Sequence, residues 1–202
     1  MDTVVLIIGS SEGLGIRLAQ KYIGLGYSVI IADSSNVDFS HKKLMVYNID
    51  FGNSEELINM FDDIYTRIGY IDILINCTTI EMEKNFGLNS MLNSYLKTTF
   101  ISSREFARNK ARKEYGRIIN IVSNDNNSEF SLNSRCVYDD KIDNVTQAIA
   151  TSLRDTHIKV NSIKIEKENS DLEEVCYKLC ENENGIESGR SIALGKVFEN
   201  VL

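Results

Sequence analysis

The 202-residue chain has no proline at all, so none of its turns can rest on a pre-set φ. Histidine is almost as scarce. His41 and His157 both fall in apparent loop positions, and neither reads as a ligand. The four cysteines, Cys77, Cys136, Cys176 and Cys180, fit neither a zinc ribbon nor a redox C-x-x-C spacing. Cys176 and Cys180 share one face of a predicted helix, and all four read as buried thiols. Basic charge is also short: 22 Lys and Arg against 29 Asp and Glu leave a net −7, which argues against a nucleic-acid surface. No basic run is interleaved with aromatics. No apolar stretch is long enough to span a bilayer, and Met1-Asp2-Thr3 does not open a signal peptide. The expectation is a cytoplasmic protein with no nucleic-acid and no membrane partner.

What the chain does have is an ordinary globular composition, 43% hydrophobic and 25% charged, and a length that suits one domain over residues 1–202. It is organised around Val4-Val5-Leu6-Ile7-Ile8-Gly9-Ser10-Ser11-Glu12-Gly13-Leu14-Gly15-Ile16. There a β-branched run ends in a glycine-punctuated loop and a helix follows at once. Such a loop lets backbone approach a ligand, and the amides opening the helix suit an anion such as a pyrophosphate. A plain strand-to-helix turn has the same pattern, so the rest of the chain must decide.

Apolar runs predict strands over 27–32, 43–49, 71–76, 117–122, 158–165 and 191–194. Helices are predicted over 14–26, 55–68 (capped by Ser54), 93–113, 139–155 and 170–180 (capped by Ser170). Leu96, Phe100 and Phe106 mark the apolar stripe of the fourth-strand-to-fifth-strand helix. Ile142, Val145, Ile149 and Leu153 mark that of the next. Strands that are nearly solid apolar and alternate with helices imply an α/β fold, a doubly wound parallel sheet with helices on both faces. In such sheets ligands bind beyond the carboxyl ends of the strands. Small polar residues gather there: Gly9–Gly15, Asp33, Asp50, Asn76-Cys77-Thr78-Thr79 and Ser123. Asp33 can bond adenosine ribose hydroxyls, and with Glu12 it would repel a 2′-phosphate, favouring NAD over NADP. The nucleotide-binding set is Gly9, Ser11, Gly13, Leu14, Gly15, Asp33, Asp50 and Asn76. No metal is expected.

These segments resemble the short-chain dehydrogenase/reductase family over nearly the whole chain. Ile8–Gly15 is similar to its T-G-x-x-x-G-x-G, with Ile8 in place of the threonine. Asp50-Phe51 is similar to D-V, and Gly69–Thr79 to G-x-x-D-x-L-V-N-N-A-G. Gly116–Ser123 is similar to G-R-I-V-N-I-S-S, Val160-Asn161 to V-N, and Glu187–Arg190 to the late T-G. The resemblance implies a Rossmann fold, NAD as possible cofactor, and a tetrad of asparagine, serine, tyrosine and lysine. It also implies pairing of subunits, as dimer or tetramer, through helices 93–113 and 139–155.

The tetrad itself is not matched. Ser123 fits the serine, but the asparagine falls on Tyr95, and Y-x-x-x-K falls on Asp139 and Asp143. Carboxylates accept where a phenol and an ammonium should donate. Tyr138 and Lys141 stand nearby at Y-x-x-K, and a frayed first turn would be needed to bring Tyr138 inward. After Asn161 the chain reads Ser162-Ile163-Lys164-Ile165-Glu166 where the family has a P-G turn. Only 28 positions separate Asn161 from Gly189, too few for the family's two-helix substrate lid. Three functions stay open. One is a non-catalytic subunit pairing with an active family member or with itself. The second is an active NAD-dependent oxidoreductase on a carbonyl or alcohol, using Ser123, Tyr138 and Lys141. The third is an NAD(H)-sensing regulator.

Overall fold

The computed structural model describes residues 2–9, 13–77, 88–108, 115–123, 132–165, 172–181 and 186–194. Seven strands form one parallel sheet: β1 Val4–Ile8, β2 Ser28–Asp33, β3 Leu44–Asn48, β4 Ile73–Asn76, β5 Gly116–Ser123, β6 Ile158–Ile165 and β7 Ser191–Leu194. Their order is β3-β2-β1-β4-β5-β6-β7. The five helices are α1 Leu14–Gly24, α2 Ser54–Arg67, α3 Leu88–Arg108, α4 Leu132–Ser152 and α5 Leu172–Glu181. This is the doubly wound α/β arrangement the alternation predicts, and the strand order reverses between β1 and β4.

The solid apolar strands follow from burial on both faces. In β1, Val5 and Ile7 join a cluster with Leu18 and Tyr22 of α1 and Leu172, Val175, Cys176 and Cys180 of α5. Val4, Leu6 and Ile8 point the other way, into a cluster with Phe61 and Ile64 of α2, Ile101 and Phe106 of α3, and Ile149 of α4. The period-2 geometry of a strand sends alternate residues to opposite cores, so neither set can be polar. At the amino end of the sheet the Asp72 carboxylate accepts from the Val4 amide at 2.8 Å and sets the start of β1.

Several local expectations need correction. The cap of α2 is Asn53, whose side chain accepts from the Glu55 amide; Ser54 is already helical. Glu56 accepts from the Asp50 amide at 3.0 Å and the Asn53 side chain at 3.1 Å, which fixes the loop so that the cap moves one residue earlier. Phe100 is 54% exposed and lies off the buried stripe, because Ile101 and Phe106 turn into the core instead. α3 begins at Leu88, and residues 109–113 of the predicted 93–113 helix lie outside the described residues. α4 begins at Leu132, seven residues before the predicted start at 139. Ser170, Ser11 and the other two loop residues at 10 and 12 also lie outside the described residues. No described helix is long and apolar enough to cross a membrane.

Candidate functional site

The sheet delivers the predicted loop to the point where strand order reverses. The backbone of Gly9 still pairs with the sheet, its amide donating to the Ala32 carbonyl at 2.9 Å. It then turns with φ +77° at Gly9 and +67° at Gly13, a region that disfavours side chains. Gly13 stands at the amino end of α1 without a side-chain cap, and the first turn carries no acid. The first amides of a helix lack intrahelical partners, and with the helix dipole they favour a negative ligand at this end. Leu14 and Gly15 are buried in that first turn. This end of the site fits the diphosphate of a dinucleotide.

Asp33 ends β2 beside the loop. Its Oδ1 accepts from both the amide and the hydroxyl of Ser35, each at 2.9 Å, and the residue is only 1% exposed. The carboxylate is thus oriented from behind by its own turn. Asp50 lies beyond β3, exposed, with Oδ1 accepting from the Gly52 amide at 2.8 Å.

Asn76 ends β4 and is fully buried. It accepts from the Ser102 hydroxyl of α3 at 2.8 Å and donates to Asn120 of β5 at 2.9 Å. Asn120 in turn donates to Thr146 of α4 at 2.9 Å. The string Ser102–Asn76–Asn120–Thr146 ties two helices to the two strands between them. Each member satisfies the next, as buried polar groups must. Asn76, predicted as a nucleotide contact, spends its amide on this string.

The other end of the site is built from β5, α4 and β6. Ser123 closes β5, with its Cα opposite Ile165 of β6. Tyr95, at the position of the family asparagine, is 4% exposed and packs with Val122 and Ile142. Its hydroxyl donates to the Ile121 carbonyl at 3.3 Å. Ile142 is fully buried and marks the side of α4 that faces the sheet. At about 100° per residue, Asp143 lies to one side of that line and Lys141 to the other.

Asp143 points to β6. Its Oδ2 accepts from the Lys164 ammonium at 2.6 Å and its Oδ1 from the Ser162 hydroxyl at 3.3 Å. Both members of the ion pair are mostly buried, with side chains 19% and 24% exposed for Lys164 and Asp143. Lys141 is half-buried and Asp140 exposed. Because α4 starts at Leu132, Tyr138 belongs to its second turn, not to a frayed first turn. Its position is turned about 140° from that of Asp143, whereas Asp139 is turned only about 40°. The side chains of Ser123, Tyr138 and Asp139 lie outside the described residues.

The segment between β6 and β7 holds one described helix, α5, and that helix is consumed by the core. Leu172, Val175, Cys176, Leu179 and Cys180 are buried, while Glu173 and Glu174 pair with Arg17 and Lys21 of α1 at 2.8 and 3.2 Å. Asn161 donates to the Glu187 carbonyl at 2.8 Å and the Gly189 amide to the Val160 carbonyl at 2.7 Å, so this segment returns directly to the sheet. Cys77, Cys176 and Cys180 are buried and free. Burial pushes the Cys77 and Cys180 thiols up to about 12, and they stay protonated at neutral pH. Among the described residues no group of three or more His, Cys, Asp or Glu is placed to hold a metal ion.

Sequence reasoning passed over Lys164, Ser162, Asn120, Thr146 and Ser102. The signal for Lys164 was there: a cation near the carboxyl end of a largely buried strand, on the same face as Ser162, needs a carboxylate partner.

Three comparisons place this geometry. The chain is 32% identical over 136 residues to the 3-oxoacyl-[acyl-carrier-protein] reductase FabG of Aquifex aeolicus, a match covering 59% of this chain and 55% of that protein. It is 28% identical over 181 residues to the 2-dehydro-3-deoxy-D-gluconate 5-dehydrogenase of Formosa agariphila, covering 79% of this chain and 67% of that one. The chain spans about half the length of several curated relatives it matches. In fold it is similar to a short chain dehydrogenase of Leptospira borgpetersenii solved with bound NAD+. The TM-score is 0.80 at 21% identity, over 96% of this chain and 91% of that one. The family model for short chain dehydrogenase matches residues 3–174. With its motifs in order on that sheet, the chain belongs to the short-chain dehydrogenase family.

Proposed function

We propose that this chain is a non-catalytic subunit of an oxidoreductase assembly, pairing with an active member of its family through α3 and α4. The observation that carries this reading is the Asp143–Lys164 pair. At the α4 position where the family resemblance calls for an ammonium, the chain has a carboxylate already committed to β6. Lys141, the nearest cation on the helix, leaves the other side of α4. Tyr95 packs its ring where the resemblance calls for an asparagine, and α5 is spent on the core rather than on a substrate wall.

The reading keeps a nucleotide at the other end. The first amides of α1 would hold the diphosphate, and Asp33 the adenosine ribose. A carboxylate there disfavours a 2′-phosphate, so NAD is the expected dinucleotide. When bound by a family member, that cofactor supplies or accepts a hydride; here the residues named would bind and orient it without a matched proton donor. Phe100, exposed on α3, supports that helix as the docking face.

Co-expression with a family member that has an intact Tyr-x-x-x-Lys, followed by size-exclusion chromatography and an activity assay, tests the proposal. The expected result is a mixed oligomer more active or more stable than the active member alone. Separate elution with the active member unchanged would contradict it. The activity of the relatives supports a second reading, oxidoreductase chemistry through Ser123, Tyr138 and Lys141, which the Tyr138→Phe variant addresses below.

A further inference from the structure

Most of the second half of α3 is enclosed by its own chain. From Tyr95 to Arg108 the residues are buried, apart from the half-buried Leu96 and four exposed ones, Lys97, Phe100, Arg104 and Arg108. At about 100° per residue those four fall within about 80° of one another and form a single stripe along the helix. The stripe carries three cations and one ring, in a chain whose net charge is −7.

Two of the cations are held in place from below. Glu105 has a side chain only 3% exposed, and it accepts from Nε of Arg104 at 2.9 Å and from Nη1 of Arg108 at 3.1 Å. The Tyr65 hydroxyl of α2 donates to the Glu105 carbonyl at 3.2 Å and fixes that turn of the helix. Arg104 and Arg108 still expose 50% and 70% of their side chains. The guanidinium groups are thus ordered before any partner arrives, which lowers the entropy cost of docking. The flanking helices do little to neutralise them. In the last two turns of α2, Asp63 is taken by Tyr47 and Arg67, which leaves Asp62 as the exposed acid. On α4 the exposed Asn144, Gln147 and Thr151 carry no charge.

An aromatic ring beside arginines is the composition that dominates binding energy at interfaces. The charge of the stripe decides what can dock there. Two copies related by a two-fold axis must use the same patch on each. With the helices antiparallel, full overlap of the stripe sets Lys97 of one copy against Arg108 of the other, at both ends. With the helices parallel, each cation meets its own copy. Either way like charges face each other, which opposes association. A helix with carboxylates about 16 Å apart, on either side of an apolar seat for Phe100, would meet both ends of the stripe.

We infer that the α3 stripe selects an acidic partner helix and turns away a second copy of this chain. The inference rests on the reading of α3 as the docking face and adds the chemistry of the partner.

The chain itself supplies an acidic partner for the test. The variant Lys97→Glu/Arg108→Glu reverses both ends of the stripe and keeps Arg104 to hold Glu105. Sedimentation velocity is run on the full wild-type chain, on the reversed chain and on their equimolar mixture, at about 50 and about 500 mM NaCl. Each protein alone is expected to keep one mass at both salt concentrations. The mixture should give a species of twice that mass, with a dissociation constant about tenfold weaker at the higher salt. Phe100→Ala in the wild-type member should weaken the mixed pair about tenfold. Lys97→Glu alone sets a carboxylate against Arg108 at both ends of an antiparallel pair and should self-associate. It leaves both partners of Glu105 in place, which guards against a reversed chain that fails to fold. A mixture that sediments as its separate members, with Lys97→Glu also unpaired, would overturn the inference. So would a wild-type chain that pairs with itself and loses that pairing in Phe100→Ala. A mixed oligomer with an active family member that is unchanged by Lys97→Glu/Arg108→Glu would strike the charge selection and leave the pairing standing. No oligomer with the active member, beside a stable pair of wild-type and reversed chains, would strike only the pairing proposed above.

Discussion

At the carboxyl end of β1 the described chain presents backbone at a glycine turn and an uncapped helix start, the open region, while at the carboxyl ends of β5 and β6, the filled region, side chains bond to one another. Both regions belong to one sheet and share its core. In the first, Gly9 and Gly13 turn at positive φ and the start of α1 has no side-chain cap. In the second, Asp143, Lys164 and Ser162 satisfy each other, and Tyr95 packs against Val122 and Ile142. On the proposed reading, the fold keeps its ligand-facing backbone while its reactive corner turns into structure. The backbone end depends on glycines and chain path, whereas the reactive end depends on a few side chains that can change without moving a strand.

The largest effect should come from the string that joins the two regions. Asn76→Ala leaves the Ser102 hydroxyl and the Asn120 amide without their buried partner, and should lower stability by about 3 kcal/mol in denaturant unfolding. A loss under about 1 kcal/mol would mean that the two halves are not coupled through Asn76. Within the filled region, Lys164→Met strands a mostly buried carboxylate and should cost about 2 kcal/mol by the same measurement.

The dry face beneath the open region is tested by alkali. Burial raises the Cys77 and Cys180 thiols from 9.0 to about 12 in the folded chain. Between those values the unfolded chain releases protons that the folded chain keeps, so stability is full below pH 9 and falls as pH rises toward 12. Each thiol should account for about 1 kcal/mol of loss at one unit above its unfolded pKa, and Cys77→Ala should flatten the decline. A flat stability profile across that range would show these thiols to be wet. In the open region, Asp33→Ser should narrow the preference for NAD over NADP by about 1 kcal/mol, read as a ratio of dissociation constants. An unchanged ratio would remove Asp33 from the ribose contact.

The fold was legible because its determinants are local and repetitive. Solid apolar runs such as 4–8 and 73–75 mark two-sided burial, and Gly9 and Gly13 mark the turn at the strand end. The paired bounds of β6 and β7 match the predicted 158–165 and 191–194. The site was legible only in its outline. The carboxylates at 139 and 143 can be read from spacing, but the partner of Asp143 lies 21 positions on, in another element. The Asn76 string spans four separate elements for the same reason. Helix starts were misjudged where polar residues precede the apolar stripe. α4 runs through Leu132–Tyr138, a stretch whose composition reads as loop, and α2 takes its cap from Asn53 because Glu56 locks that residue.

The central claim, that the β5–α4–β6 corner no longer performs hydride chemistry, is met most directly by a turnover assay of the full chain. Wild-type and Tyr138→Phe proteins would be incubated with a broad panel of carbonyls plus NADH and of alcohols plus NAD+, following absorbance of the reduced nicotinamide. The account predicts no turnover above the protein-free rate for either. Turnover by the wild type that disappears in Tyr138→Phe would contradict it.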